Sequence, residues 1–174
     1  SANGLMAGKR GLIMGLANNR SIAWGIAKSL ADQGAEIALT YQGDALKKRV
    51  EPLAAELGGY VAGHCDVSDQ STIDAVFENL KAKWGKIDFL VHAIGYSNKD
   101  ELTGRYVETS RDNFLMTMDI SVYSFIDCSR RASEIMPDGG AIICMTYLGA
   151  ERTVPSYNVM GVAKAALECA TRYM

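Results

Sequence analysis

Five short apolar runs alternate along the chain with stretches of helical periodicity, and few folds accommodate that order. A strand followed each time by a helix builds βαβ crossovers, hence a parallel sheet with helices on both faces. The first strand is expected over residues 10–15, an apolar run ended by glycine, as in a strand buried on both sides. A helix capped by Ser21 follows, with Ile22, Ile26 and Leu30 one turn apart and Gly34 as its stop. Residues 36–41 read as the second strand, 44–57 as a polar outer helix ended by Gly58 and Gly59, and 60–65 as a weaker third strand. Ser68 precedes the clearest amphipathic helix, where Ile73, Val76, Phe77, Leu80 and Trp84 share one stripe ended by Gly85. A fourth strand is expected over 87–94, an irregular stretch over 96–108 and a long helical segment over about 110–135. A turn at 137–140, a fifth strand over 141–146 and a helix over 157–174 complete the pattern.

At 174 residues the chain suits one domain, expected to run over 1–174. Apolar residues at 48 % exclude intrinsic disorder, and 18 Lys+Arg against 20 Asp+Glu leave no basic excess for a nucleic-acid partner. Cys65, Cys128, Cys144 and Cys169 lie far apart without ligand spacing, so reduced thiols in a cytoplasmic protein are expected and no metal site. Cys144, within Ala-Ile-Ile-Cys-Met, reads as a small buried hydrophobe. No run approaches the roughly 18 apolar residues of a membrane helix, so no membrane insertion is expected. The opening Ser1-Ala2-Asn3-Gly4-Leu5-Met6 has no charged segment leading into an apolar core, so no signal peptide is expected. The last helix meets the end of the chain with no cap and no following strand, which reads as a C-terminally incomplete domain.

In open parallel sheets the ligand lies beyond the carboxyl ends of the strands. The segment after the first strand holds Gly15, Ser21 and Gly25 around a helix N-terminus, where amides and dipole converge on an anion. Gly15 would permit a sharp turn and close approach to a pyrophosphate, Ser21 would add a hydroxyl, and Gly25 would let the helix pack tightly on the sheet. The spacing Gly-x5-Ser-x3-Gly is not the GxGxxG fingerprint, and an ordinary glycine-bounded loop with a serine cap is the competing reading. Gln42, after the second strand, carries no charge for a 2′-phosphate, which favours NAD(H), while Lys47 and Lys48 read as a solvated helix face. Asp66 and Val67 can take the edge and face of an adenine, although Asp-x-Ser-Asp is also a common helix start. After the fourth strand, Gly95 lets backbone reach a ribose or nicotinamide. His92 reads as a strand histidine rather than a catalyst, and His64 has no ligand-spaced neighbours.

After the fifth strand come Tyr147 and, further on, Tyr157 and Lys164. Residues seven apart on a helix differ by about 20° in direction and about 10.5 Å along the axis, so Tyr157 and Lys164 are expected on one face. A lysine there can hold ribose hydroxyls while the tyrosine reaches the reacting group, and its ammonium would favour an ionised or strongly donating phenol. The competing reading is a tyrosine and a lysine on an ordinary helix face.

These residues resemble the short-chain dehydrogenase/reductase superfamily and, more closely, the bacterial NADH-dependent enoyl-[acyl-carrier-protein] reductases. The resemblance spans nearly the whole chain and is most specific over 147–164. Most of the superfamily has Tyr-x3-Lys. Here Gly161 stands four after Tyr157, and the lysine arrives at Tyr-x6-Lys, the spacing of enoyl reductases. The resemblance implies an α/β, doubly wound parallel sheet of Rossmann-like type, lacking its C-terminal strands, and a cytoplasmic homotetramer. It implies NADH as cofactor and a trans-2-enoyl thioester on acyl carrier protein as substrate. Cofactor positions fall on Gly15, Ser21, Ile22, Gln42, Asp66, Val67, Ile94 and Lys164, joined by Gly95 from the reading of the residues. Tyr147, Tyr157 and Lys164 take the catalytic positions, Ser97 the acyl-thioester contact, and Ala93 departs from a serine often found before Ile-Gly. A ketone or alcohol reductase and a non-catalytic dinucleotide-binding module are the alternatives. Residues 1–174 alone are expected to lack enoyl reductase activity and to aggregate through the open edge of the fifth strand.

Overall fold

The computed structural model describes residues 4–174; residues 1–3, where the reading for a signal peptide begins, lie outside the described residues. The chain divides into two compact units, Ser1–Ala93 with Cys128–Ile143, and Ile94–Asp127 with Cys144–Met174.

The first unit is built on strands β1 (Arg10–Met14), β2 (Glu36–Tyr41), β3 (Tyr60–His64) and β4 (Phe89–His92), with helices α1 (Ile22–Asp32), α2 (Asp44–Glu56) and α3 (Gln70–Trp84) between them. β5 (Ala141–Cys144) completes the order β3-β2-β1-β4-β5, and the pairs β1–β2, β1–β4 and β2–β3 are parallel. Leu12 stands opposite Ala38 and Leu90, and Ile13 opposite Leu39 and Val91. All six are fully buried, which explains why these strands are continuously apolar rather than alternating. His92 lies opposite Met14 with 1 % exposure, as a strand histidine would.

Ile73, Val76, Phe77 and Leu80 form the buried stripe of α3, and Trp84 stays half-buried with its ring edge-on to Tyr60 at 5.1 Å. Its cap is Asp69 rather than Ser68: the Asp69 carboxylate accepts from Ser71 N at 3.0 Å. In α1 the expected stripe is only partly buried, Ile26 and Leu30 being half-buried. Ala23, Trp24 and Ala27 are buried, whereas Ile22 is 72 % exposed. The packing role of Gly25 is overturned as well, since a side chain there would meet nothing within 4 Å. The small Ala23 and Ala27 side chains are the ones buried.

β4 is shorter than its apolar run because Ile87 N bonds Ile135 O at 2.9 Å, leaving the ladder to residues further on. β5 is one of the two edge strands, with Ile143 45 % exposed. Cys144 is accordingly only part-buried, its Sγ 3.6 Å from Thr171 Oγ1, and not the enclosed hydrophobe its apolar neighbours suggest.

The second unit carries single 3-10 turns at Lys99–Glu101, Tyr106–Glu108 and Leu148–Ala150, helix α4 (Arg111–Met118) and helix α6 (Asn158–Tyr173). The helix expected over about 110–135 is interrupted by a π turn at Asp119–Tyr123 before α5 (Ser124–Glu134). Side-chain hydrogen bonds accompany the widening: Ser121 Oγ accepts from Tyr96 N at 3.0 Å, and Ser124 Oγ donates to Ile120 O at 2.6 Å. Among the described residues no helix is long and apolar enough to cross a membrane.

Candidate active site

In the first unit the loop after β1 is shaped by two residues. Gly15 has φ +94°, and a Cβ there would lie 1.9 Å from Ala93 O, so the end of β4 demands glycine whatever else approaches. Ser21 does not cap α1 with its side chain. Its Oγ turns back and accepts from Ala17 N at 3.0 Å and Asn18 N at 3.2 Å, closing the loop on itself. The first turn of α1 thus has no side-chain cap and no acidic residue. Uncapped amides at the positive end of a helix dipole, free of carboxylate competition, fit the diphosphate of a dinucleotide. Ile22, exposed at the first helical position, can cover such a ligand with apolar surface.

Beyond β2, Gln42 is exposed, and the turn behind it is fixed by a contact the sequence reading missed. Gly43, at φ +81°, donates its N–H to His64 Nδ1 at 3.0 Å. Asp66 behaves partly as the helix start considered above: its Oδ1 accepts from Ser68 N at 3.0 Å and Ser68 Oγ at 2.6 Å. Val67 beside it is part-exposed. Lys47 and Lys48 are exposed, as a solvated helix face would be, and a groove of about 490 Å³ beside them is lined by Asn18, Asn19, Arg20, Lys48, Arg49, Pro52 and Leu53.

In the second unit, Lys164 is 8 % exposed and donates from Nζ to Met145 O at 2.7 Å; burial holds its pKa below the ordinary lysine value. A Cβ on Gly95 would stand 3.4 Å from that Nζ and 3.5 Å from Met160 Cε, so the bare backbone at Gly95 lies against the lysine. Ile94 next to it is part-exposed.

Tyr157 is the N-cap of α6, not a residue of its first turn, so the two-turn spacing to Lys164 begins outside regular helix. Its ring lies between two glycines. A Cβ on Gly149 would come within 2.5 Å of the ring, and one on Gly161 within 3.5 Å of it and 2.8 Å of Gly149 O. Tyr147, 49 % exposed, packs on Tyr157 with centroids 4.9 Å apart and planes at 57°. Of the two expectations for the phenol, ionised or strongly donating, the ionised one is not met. Burial first, and the Tyr147 phenol second, push Tyr157 above the ordinary tyrosine value, so it remains a protonated donor. A cleft of about 410 Å³ reaches Tyr157, Asn158 and Gly161 but neither Lys164 nor Ser97.

Ser97 is buried in a polar trio: its Oγ accepts from Thr117 Oγ1 at 2.9 Å and from Asn113 Nδ2 at 3.1 Å. Asn113 Oδ1 in turn accepts from Asn98 N at 2.9 Å. Neither Asn113 nor Thr117 stood out in the sequence. The available signal was the concentration of Asn, Thr and Ser between 110 and 124, more polar than a core helix needs.

The strand order β3-β2-β1-β4-β5, with a glycine- and serine-shaped loop after the central strand, defines a Rossmann-like α/β fold. A model of the family Enoyl-(Acyl carrier protein) reductase matches residues 15–174, and the chain belongs to that family. It is 72 % identical over 173 residues to enoyl-[acyl-carrier-protein] reductase [NADH] 1 of Rhizobium meliloti, covering 99 % of this chain and 64 % of that protein. A second reductase of that organism is 60 % identical over 172 residues, with 99 % and 64 % covered. The crystal structure of the Anaplasma phagocytophilum reductase in complex with NAD superposes with TM-score 0.95 at 52 % identity, over 98 % of this chain and 65 % of that one. The chain thus spans just under two thirds of the length of these relatives.

Proposed function

We propose that this protein reduces the carbon-carbon double bond of a trans-2-enoyl thioester on acyl carrier protein, using NADH, as the reductive step of fatty acid elongation. The observation that carries the reading is the seating of Tyr157: a protonated phenol wedged between Gly149 and Gly161 and stacked on Tyr147. The cofactor residues are proposed as the set Gly15, Ser21, Ile22, Gln42, Asp66 and Val67 for the diphosphate and adenosine, and Ile94, Gly95 and Lys164 for the nicotinamide riboside. When bound, NADH supplies the hydride that the β-carbon of the substrate accepts.

Negative charge then builds on the thioester carbonyl oxygen, and Tyr157 donates a hydrogen bond to it. A phenol keeps its proton at neutral pH and so stands ready as the donor. Lys164, already held by Met145 O, orients ribose hydroxyls. Tyr147 walls the acyl side, and Ser97 bounds the thioester through a segment its buried trio holds still. Residues 1–174 belong to one reductase domain in this reading, within a cytoplasmic homotetramer that receives its substrate from acyl carrier protein.

The test is NADH oxidation by the purified protein with crotonyl thioester, run beside an acetoacetyl thioester and beside NADPH. Turnover of the enoyl substrate alone, with NADH preferred, is the expected result. Turnover of the ketone alone would make the protein a carbonyl reductase instead. Gln42→Arg is expected to move the preference toward NADPH, since it places a cation at the residue read as facing the adenosine ribose.

A further inference from the structure

We propose that Asn158 is a positioning residue for Tyr157, its carboxamide tying the start of α6 to the 101–104 turn; this rests on the role given to Tyr157 above. Asn158 Nδ2 stands 3.1 Å from Glu101 O, 3.4 Å from Thr103 O and 3.3 Å from Gly104 O. A carboxamide nitrogen has two protons, so three carbonyls converging on it form a cradle that only a donor can fill. The turn that supplies them is itself anchored. The Glu101 carboxylate accepts from Ser110 N at 2.7 Å and Ser110 Oγ at 2.9 Å, and Ser110 caps α4.

The backbone on either side of Tyr157 is where such an anchor is needed. Ser156 has φ +60° and Asn158 φ +27°, so the tyrosine is flanked by two non-glycine residues with positive φ. Asparagine tolerates that conformation better than most residues, but tolerance alone does not select it. The flanking glycines confine the Tyr157 ring only sterically, through Gly149 and Gly161. The Asn158 bonds are directional. Without them the 156–158 segment can relax toward ordinary φ, and the phenol at the N-cap turns with it.

Asn158→Asp keeps the size of the side chain but sets an acceptor against three carbonyls. Asn158→Gly adopts positive φ freely and removes the donor, and it decides the matter if the aspartate variant does not fold. Both are made in the whole protein. We expect kcat to fall about 10–100-fold, the scale of a small misplacement of a reacting group, while the NADH dissociation constant stays within about twofold. The second readout needs no turnover: the ring Cζ resonance of Tyr157, assigned by its loss in Tyr157→Phe, followed against pH by carbon-13 spectroscopy. Its midpoint is expected to drop toward that of an ordinary phenol in both variants as the ring leaves its seat. Unchanged kcat and an unmoved midpoint in Asn158→Gly would overturn the proposal. If the unmodified protein shows no enoyl reduction, the functional reading fails, and the resonance still decides whether Asn158 positions Tyr157.

Discussion

The two units are held in shape by different kinds of side chain. In the first, the deciding residues are large, apolar and periodic: Leu12, Ile13, Leu39 and Leu90 along the strands, Ile73, Val76 and Leu80 along α3. In the second, Phe125, Val159 and Leu167 are buried too, but polar side chains share the interior, with Asn113, Thr117 and Ser121 recurring every four residues. Ser97, Asn113, Thr117 and Ser121 fix the path after Ile94, and Asn158 holds the turn before α4. Burial of apolar area is non-directional and tolerates small shifts of position. A hydrogen bond to a chosen backbone atom does not, and it suits a region that must hold one phenol in one place.

Tyr157→Phe tests that division most sharply. It should lower turnover about 10²–10³-fold, as loss of one oxyanion donor does elsewhere, with NADH binding and thermal midpoint nearly unchanged. Steady-state kinetics beside a melting curve checks it; normal turnover would remove Tyr157 from the chemistry. Leu39→Ala should show the reverse profile. Its fully buried side chain on β2 predicts a loss of about 2–5 kcal/mol in urea unfolding. A loss below about 1 kcal/mol would mean that the sheet is not where the stability resides.

The smallest effect concerns a polar atom misplaced in the apolar unit. Tyr60 Oη is buried without a hydrogen-bond partner among the described residues, and burial pushes its pKa up from 10.0 to about 12. The folded state therefore keeps this proton at pH values where the unfolded chain has lost it, so stability declines as pH rises from about 10 to about 12. Tyr60→Phe should flatten that decline and leave neutral-pH stability equal or higher by less than about 1 kcal/mol. Denaturant midpoints across the alkaline range decide it.

Periodicity carried the reading of the first unit a long way, and its errors there are instructive. The second strand falls on residues 36–41 as expected, and the stripe on α3 is the one buried. On α1 the same rule chose Ile22, Ile26 and Leu30, of which Ile26 and Leu30 are half-buried and Ile22 is exposed. The buried face is the one with Ala23 and Ala27. Ile22, left outside, is available to a ligand, which apolar counting cannot anticipate. Motif spacing singled out Tyr157 and Lys164 as candidates, yet said nothing of the hydroxyl of Ser21 turning to its own loop or of Tyr157 standing outside its helix. The π turn at Asp119–Tyr123 left no mark on the apolar pattern, since its accompanying bonds join serines to backbone atoms.

The contact between Gly161 and the 147–150 segment has an evolutionary consequence. Placing the lysine four residues after the tyrosine would put a side chain at Gly161, where even its first carbon would lie 2.8 Å from Gly149 O. The two lysine spacings are therefore not neighbours in sequence space. A side chain at position 161 is accommodated only if the 147–150 segment that carries Tyr147 moves with it.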